Sequence, residues 1–302
     1  MTRELVVLGT SSMVPTRTRA HPGAVLRWDR ELVLFDPGEG TQRQLTLAGV
    51  PAARITRICI THLHGDHSLG LTGVLQRMSL DRVERPVHLY FPASGREYVD
   101  RLRHATVAYS DLDVRLHPVD GDGLVDAWPG LELHARALSH RVETYGWRLV
   151  EPDGRRMLPD LLAAAGVAGP DVSRLVRTGS LRVDGRRVLL DEVSAPRPGQ
   201  VFAWVMDTRR CAGAVELARG ADLLVTESTY LEAEADLAEE YAHLTSVHAA
   251  RIAAEAGARR LVLMHYSQRH PDEEAFAVEA RRHFPDVHAA RDLDRVAVPP
   301  RR

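Results

Sequence analysis

Short apolar runs recur along this chain, and several of them stop at small residues or at residues that can bind metal. Leu5–Leu8 ends at Gly9-Thr10-Ser11-Ser12. Ala24–Trp28 and Leu32–Phe35, joined by the charged turn Asp29-Arg30-Glu31, end at Asp36-Pro37-Gly38-Glu39-Gly40. Runs this short, bounded by turn residues, predict strands. Thr41 can then open a helix through Gln42 to Ala48. Ile55–Ile60 predicts a buried strand, and Gly70–Met78 a helix. Further on come a strand at Val87–Phe91, a helix from Ser94 to about Thr106, and a strand at Leu131–Leu138, whose apolar and polar residues alternate. Glu143–Val150 predicts another strand.

The regular alternation breaks at residues 151–198. This stretch is rich in glycine and carries Arg174, Arg177, Arg182, Arg186 and Arg187, so it predicts an insertion in an otherwise single α/β domain spanning 1–302. Asp184-Gly185 between two short apolar runs predicts a small hairpin within it, and Leu161–Ala165 a short helix. The α/β pattern then resumes with strands at Val201–Met206, Leu223–Thr226 and Arg260–Met264. Helices are expected at Ala212–Arg219 and Ser246–Ala256, and the acidic stretch Leu231–Tyr241 is read as helical or mobile.

Chemistry concentrates between the predicted strand Ile55–Ile60 and its helix, in Thr61-His62-Leu63-His64-Gly65-Asp66-His67-Ser68. If the chain is extended there, His62 and His64 project from one side, and a turn at Gly65 brings Asp66 and His67 round beside them. Three more predicted strands end in ligand-type residues, at His140, Asp207 and His265. Ligands gathered at the carboxyl ends of strands are placed where open α/β sheets carry their chemistry. Five histidines and two aspartates suit two borderline cations such as Zn²⁺ side by side, which is a hydrolytic arrangement.

Composition narrows the alternatives. The 302 residues are 44% hydrophobic, enough for a large core, and the formal charge of −2 makes any nucleic-acid surface a local one. All 39 basic residues are arginine, which excludes a lysine nucleophile, a Schiff-base lysine and a Walker-type phosphate loop, and no nucleotide cofactor is expected. Two cysteines give no disulfide framework. Met1-Thr2-Arg3-Glu4-Leu5 runs straight into the first strand without the pattern of a secretory leader, and no apolar run approaches membrane-spanning length. A soluble, cytoplasmic protein with no membrane partner is expected.

The His-x-His-x-Asp-His pattern at His62, His64, Asp66 and His67 resembles the signature of the metallo-β-lactamase superfamily. Within it the chain looks like ribonuclease Z, the family of tRNA 3′-processing endoribonucleases. The similarity runs through Leu8-Gly9-Thr10, Pro15 to Arg19, Phe35-Asp36, Gly166 to Gly179, Asp207-Thr208-Arg209, Glu227 and His265.

The resemblance implies a four-layer αββα sandwich with a protruding tRNA-binding arm at 151–198. It implies one zinc ion on His62, His64 and His140, a second on Asp66, His67 and His265, and Asp207 bridging them. Asp66 would also accept the proton of the attacking water, and Glu227 with His243 would deliver a proton to the leaving oxygen. Arg17, Arg19, Arg174 and Arg177 become candidate tRNA contacts, and a homodimer working on precursor tRNA is implied. Two other readings are a small-molecule phosphodiesterase or esterase of the same superfamily, and a non-catalytic RNA-binding protein on a degenerate hydrolase fold. The basic insertion argues against the first and the complete ligand set against the second.

Overall fold

In the computed structural model, which describes residues 3–107 and 112–301, the strand Arg3–Gly9 buries both of its faces. Leu5 and Val7 enter one apolar cluster, Val6 and Leu8 another. A strand that is apolar on both sides needs cover on both, and that requirement shapes the whole body. One seven-stranded sheet runs in the spatial order Arg295–Ala297, Arg3–Gly9, Gly23–Trp28, Glu31–Phe35, Arg57–Cys59, Val87–Pro92, Val114–Val119. The other runs Val287–Ala289, Leu261–Met264, Leu223–Glu227, Val201–Val205, Tyr145–Val150, Leu131–Ala137, Gly123–Trp128. Both are mixed, with antiparallel pairs toward one edge and parallel pairs toward the other.

The sheets face each other across a core that takes Leu26, Phe35 and Tyr90 from the first and Trp147, Phe202 and Trp204 from the second. Phe35 stacks on Trp204 with ring centroids 5.1 Å apart. Helices Thr41–Leu47, Leu71–Leu80 and Arg96–Arg103 cover the outer face of the first sheet through Leu45, Val74, Met78 and Val99. Ala212–Ala218, Ser246–Ala256 and Glu274–Ala280 cover the second through Leu217, Ile252 and Phe276. The expected four-layer αββα sandwich is the fold. Among the described residues, no helix is long and apolar enough to cross a membrane.

Most of the predicted elements form with ends moved by a few residues. Ser246–Ala256 is helical over the span expected, because Thr245 caps it by accepting from the His248 N–H. Leu131–Ala137 buries Leu131, Leu133 and Ala135 on one face as the alternation requires. The acidic stretch after Leu231 is ordered, with a helix over Ala235–Tyr241. The predicted strand Ile55–Ile60 pairs only over Arg57–Cys59, and Met1 and Thr2, read with the first strand, lie outside the described residues. The pattern leaves Val114–Val119 and Gly123–Trp128 unassigned; they are edge strands, half-exposed and therefore without an apolar run.

Residues 150–200, with Pro300 and Arg301, form a second compact unit. Its core is Leu162, Val167, Leu175, Leu181, Val188 and Val193. The expected hairpin is present as Ser180–Val183 against Arg186–Leu189, with Asp184 and Gly185 at φ 47° and 82°, as a type I′ turn needs. A strand pair, Gly154–Met157 with Ser194–Arg197, closes the unit. Besides the expected helix, now Pro159–Ala164, there is a second over Pro170–Thr178. Leu175 of that helix is buried while Arg174 and Arg177 stay exposed.

Candidate metal centre

Each strand that ends in a ligand delivers it by a sharp change of backbone direction. Asp207 and His265 follow, within a residue or two, the strands Val201–Val205 and Leu261–Met264, which flank Leu223–Glu227 in parallel, and both adopt left-handed φ values, 47° and 63°. Non-glycine residues rarely sit there, and such strain persists where surrounding structure over-determines it. Here it swings both side chains into one place. In the histidine-rich stretch, His64 is extended at φ −66° and ψ 153°, and one helical turn, Gly65–Ser68, carries Asp66 and His67 back toward it. Gly65 therefore starts a helix rather than using glycine's left-handed freedom. The close approach belongs to Gly38, where a Cβ would lie 2.1 Å from the Asp66 carbonyl oxygen.

Two main groups of donors result, with a third across them. His62, His64, His140 and Asp207 converge in one, Asp66, His67 and His265 in the other, and His243 meets Asp207 and His265 in the third. His62 Nε2 lies 3.0 Å from His64 Nδ1, and His67 Nε2 lies 3.1 Å from His265 Nε2. Asp207 reaches both groups, with Oδ2 3.4 Å from His62 Nε2 and Oδ1 3.3 Å from both His67 Nε2 and His265 Nε2. Asp207 Oδ1 and His140 Nε2 are buried without a hydrogen-bond partner. Imidazole nitrogens that face one another beside an unpartnered carboxylate oxygen are what a shared cation would reconcile, so the donor set fits metal.

Protonation tells the same story. Burial holds His62, His64 and His140 below the ordinary imidazole range, which favours neutral rings with a free lone pair. Burial also works against ionising Asp207, yet the surrounding histidines His265, His67 and His62 outweigh it and keep the carboxyl well below its usual value. Burial opposes charge on His67 too, and Asp207 and Asp66 outweigh it and raise that ring. The spot demands positive charge.

The outer ring nitrogens are fixed by groups the sequence reading did not assign a role. Asp36, fully buried, accepts from the Thr61 N–H at 2.7 Å and the Thr61 hydroxyl at 3.0 Å, and its Oδ2 lies 3.2 Å from His67 Nδ1. With its proton given to Asp36, Thr61 Oγ1 accepts from His62 Nδ1 at 3.0 Å. His140 Nδ1 donates to the Ala242 carbonyl at 2.9 Å. Each contact would leave Nε2 to a cation, the usual task of a ligand's outer partners; the approach of Asp36 to His67 is an ion-pair distance without hydrogen-bond geometry. The Asp66 Oδ2 accepts from the Met13 N–H at 2.9 Å.

Beside the donors sits a buried acid pair. Glu227 accepts from His243 Nδ1 at 3.0 Å, from the Thr208 N–H at 2.6 Å and from the Leu244 N–H at 3.1 Å. Burial disfavours a charged His243, but Glu227 and Asp207 outweigh it and push its pKa up to about 9. That shift favours the protonated ring.

The basic residues divide. Arg17 is exposed near the centre of its loop. Arg19, expected to contact tRNA, is buried: Nε donates to Glu273 Oε1 at 2.6 Å and Nη1 to the His270 carbonyl at 2.8 Å. That expectation is corrected by burial: Nε and Nη1 brace the loop against internal acceptors, and Nη2, though without a hydrogen-bond partner, is shut away from solvent too. Arg174 and Arg177 are exposed on the inserted unit.

Residues 24–144 match the model of the metallo-beta-lactamase superfamily. A ribonuclease Z of Nocardia farcinica is 59% identical over 302 residues, covering 99% of each chain, and one of Salinispora arenicola is 58% identical, covering 100% of this chain and 98% of that one. Among solved structures, human tRNase Z, short form, matches with a TM-score of 0.69 at 26% identity, covering 98% of this chain and 100% of that one. Because identity this high covers 98% or more of both chains, the chain belongs to the ribonuclease Z family of the metallo-β-lactamase superfamily.

Proposed function

We propose that this chain is a zinc-dependent endoribonuclease that removes the 3′ trailer from precursor tRNA, leaving a 3′ hydroxyl on the tRNA and a 5′ phosphate on the trailer. The observation that carries the reading is the meeting of two donor groups at Asp207 with the His243–Glu227 pair alongside. His62, His64 and His140 would hold one zinc ion and Asp66, His67 and His265 the other. Bound there, the ions acidify water and neutralise charge on a phosphodiester.

The chain's own groups do the rest. Asp66 accepts the proton of the attacking water. His243, kept protonated by Glu227, gives its Nε2 proton to the 3′ oxygen as the phosphorus–oxygen bond breaks. Water's oxygen stays on the trailer phosphate, and the tRNA keeps the hydroxyl. The reaction balances without a nucleotide cofactor.

Arg174 and Arg177, exposed on the inserted unit, suit the phosphates of the tRNA body, and Arg17 suits those nearer the cut. We take the working form to be a homodimer in which one subunit's inserted unit holds the tRNA cut by the other. Action in the cytoplasm accords with the free thiols of Cys59 and Cys211. The deciding experiment combines elemental analysis with cleavage of one precursor tRNA mapped to the nucleotide. About two zinc ions per chain and a single cut at the trailer junction, both lost on chelation, are expected. Full activity with one ion or none would sink the two-metal reading, and no cut in metal-loaded protein would sink the substrate.

A further inference from the structure

Thr229 lies where the donor groups and the acid pair meet. It is buried, and its Oγ1 stands 2.7 Å from Glu227 Oε2, 2.9 Å from His265 Nδ1 and 3.4 Å from His243 Nδ1. A hydroxyl has one proton to give and two lone pairs to offer. The carboxylate of Glu227 can only accept, so the proton goes there. His243 Nδ1 is already committed to Glu227. His265 Nδ1 therefore meets a lone pair of the hydroxyl, and only a nitrogen that carries hydrogen bonds to it.

We infer that Thr229 is a positioning residue that holds His265 in the tautomer with hydrogen on Nδ1, leaving the Nε2 lone pair aimed at the space shared with His67 and Asp207. The inference rests on the metal centre proposed above. It also gives Glu227 a second task. The carboxylate that keeps His243 protonated also sets the direction of the Thr229 hydroxyl, and through it the ligand His265. Thr61 makes the same link on the other side, giving its proton to Asp36 and accepting from His62. Carboxylate, threonine and imidazole thus recur as a unit, once behind each donor group. The two units differ in what else the carboxylate meets: Asp36 lies against the donor His67, whereas Glu227 holds the proton donor His243.

The test uses the full-length protein loaded with zinc, Thr229→Val, which keeps the shape and removes the hydroxyl, and Thr229→Ser, which restores it. Zinc retained against a graded series of chelator concentrations is read for all three. Thr229→Val should release zinc about 10–100-fold more readily, the usual cost of losing a ligand's outer partner, and Thr229→Ser should match the parent. Long-range ¹H–¹⁵N spectra of histidine-labelled parent protein should place hydrogen on His265 Nδ1. This measurement stands whether or not the valine variant folds. Hydrogen absent from His265 Nδ1, or parental zinc retention in a folded Thr229→Val, overturns the inference. A parent protein that binds no zinc at all overturns the proposed metal centre instead.

Discussion

Trp204, in one sheet, donates its indole Nε1–H to Asp36 Oδ2, 2.9 Å away at the end of a strand in the other. Both residues are completely buried. Asp36 holds the outer faces of His67 and, through Thr61, His62, so a tryptophan from the far sheet anchors the carboxylate that orients ligands of both donor groups. The sandwich core and the metal centre are joined at this point. Trp204→Phe keeps an aromatic ring but loses the donor and leaves the space of the indole's second ring. A hydrogen bond to a charged acceptor contributes about 1.5–3 kcal/mol, so denaturant unfolding should show at least a loss of that order once the cavity is added. Zinc content should change little, since Thr61 still holds Asp36. Asp36→Asn should do the reverse in part: an amide cannot accept from all of these groups at once, and zinc affinity should fall about 10–100-fold. Equal zinc retention in Asp36→Asn and parent would remove Asp36 from that role.

The acid pair carries a pH signature. Glu227 is the leading charge that lifts His243 to about 9 against the cost of burial. A general acid works in its protonated form, so cleavage that needs it is present below that value and is lost as pH rises through it. Glu227→Gln removes the charge and lets the His243 pKa fall. The alkaline limb of kcat/KM should therefore move to lower pH, measured with zinc saturating because the same carboxylate steers Thr229. A substrate with a p-nitrophenolate leaving group, which needs little protonation, should show no such movement. A limb that stays in place on precursor tRNA would assign it to another group.

Arg17 and Arg19 are two residues apart and should behave as different kinds of residue. Arg19→Ala removes the buried partner of Glu273 and leaves that carboxylate with Arg291 Nε, 3.5 Å away, so the loss should fall below the about 3–5 kcal/mol of breaking an isolated buried pair. Thermal unfolding should record it. Arg17→Ala should leave stability alone, weaken precursor tRNA binding, and lower the salt dependence of that binding by about one phosphate contact. If Arg19→Ala were as stable as the parent and bound tRNA less well, the bracing assignment would be wrong.

What the sequence made legible, and what it hid, follows from how far apart interacting residues lie. The histidine-rich stretch was readable because four donors fall within six positions, the strand ending at His140 showed itself by alternation, and those ending at Asp207 and His265 by apolar runs. Asp36 could be seen at a strand end, but a single carboxylate has no spacing to read, and its partner Trp204 is 168 positions away. Arg19 looked like its neighbour Arg17 because a basic loop reads the same whether its arginines face water or a carboxylate 254 positions on. The edge strand Val114–Val119 was hidden by its own exposure and by Pro118, which a strand tolerates at a sheet edge. Helix Pro170–Thr178 hid in a stretch whose glycines suggested loops. Gly169 and Gly179 in fact bound it, both at positive φ, while Leu175 packs inward.

The inserted unit allows the sharpest separation of binding from chemistry. It has its own small core, Leu162 to Val193, while all seven donors, Glu227 and His243 belong to the other compact unit. On the proposed reading its exposed arginines supply positioning. Replacing residues 159–190 with a short linker removes both helices, the hairpin and most of that core, so the remaining sandwich must be checked first by its unfolding transition and its zinc content. In a folded, zinc-loaded deletion variant, hydrolysis of a small phosphodiester should stay near that of the parent, whereas precursor tRNA should bind far more weakly. The loss should be greatest at low salt, where arginine–phosphate contacts contribute most. The milder pair Arg174→Ala and Arg177→Ala should move in the same direction by a smaller step. Undiminished tRNA affinity and cleavage in the deletion variant would show that the unit does not grip tRNA and would return the small-molecule phosphodiesterase reading to consideration.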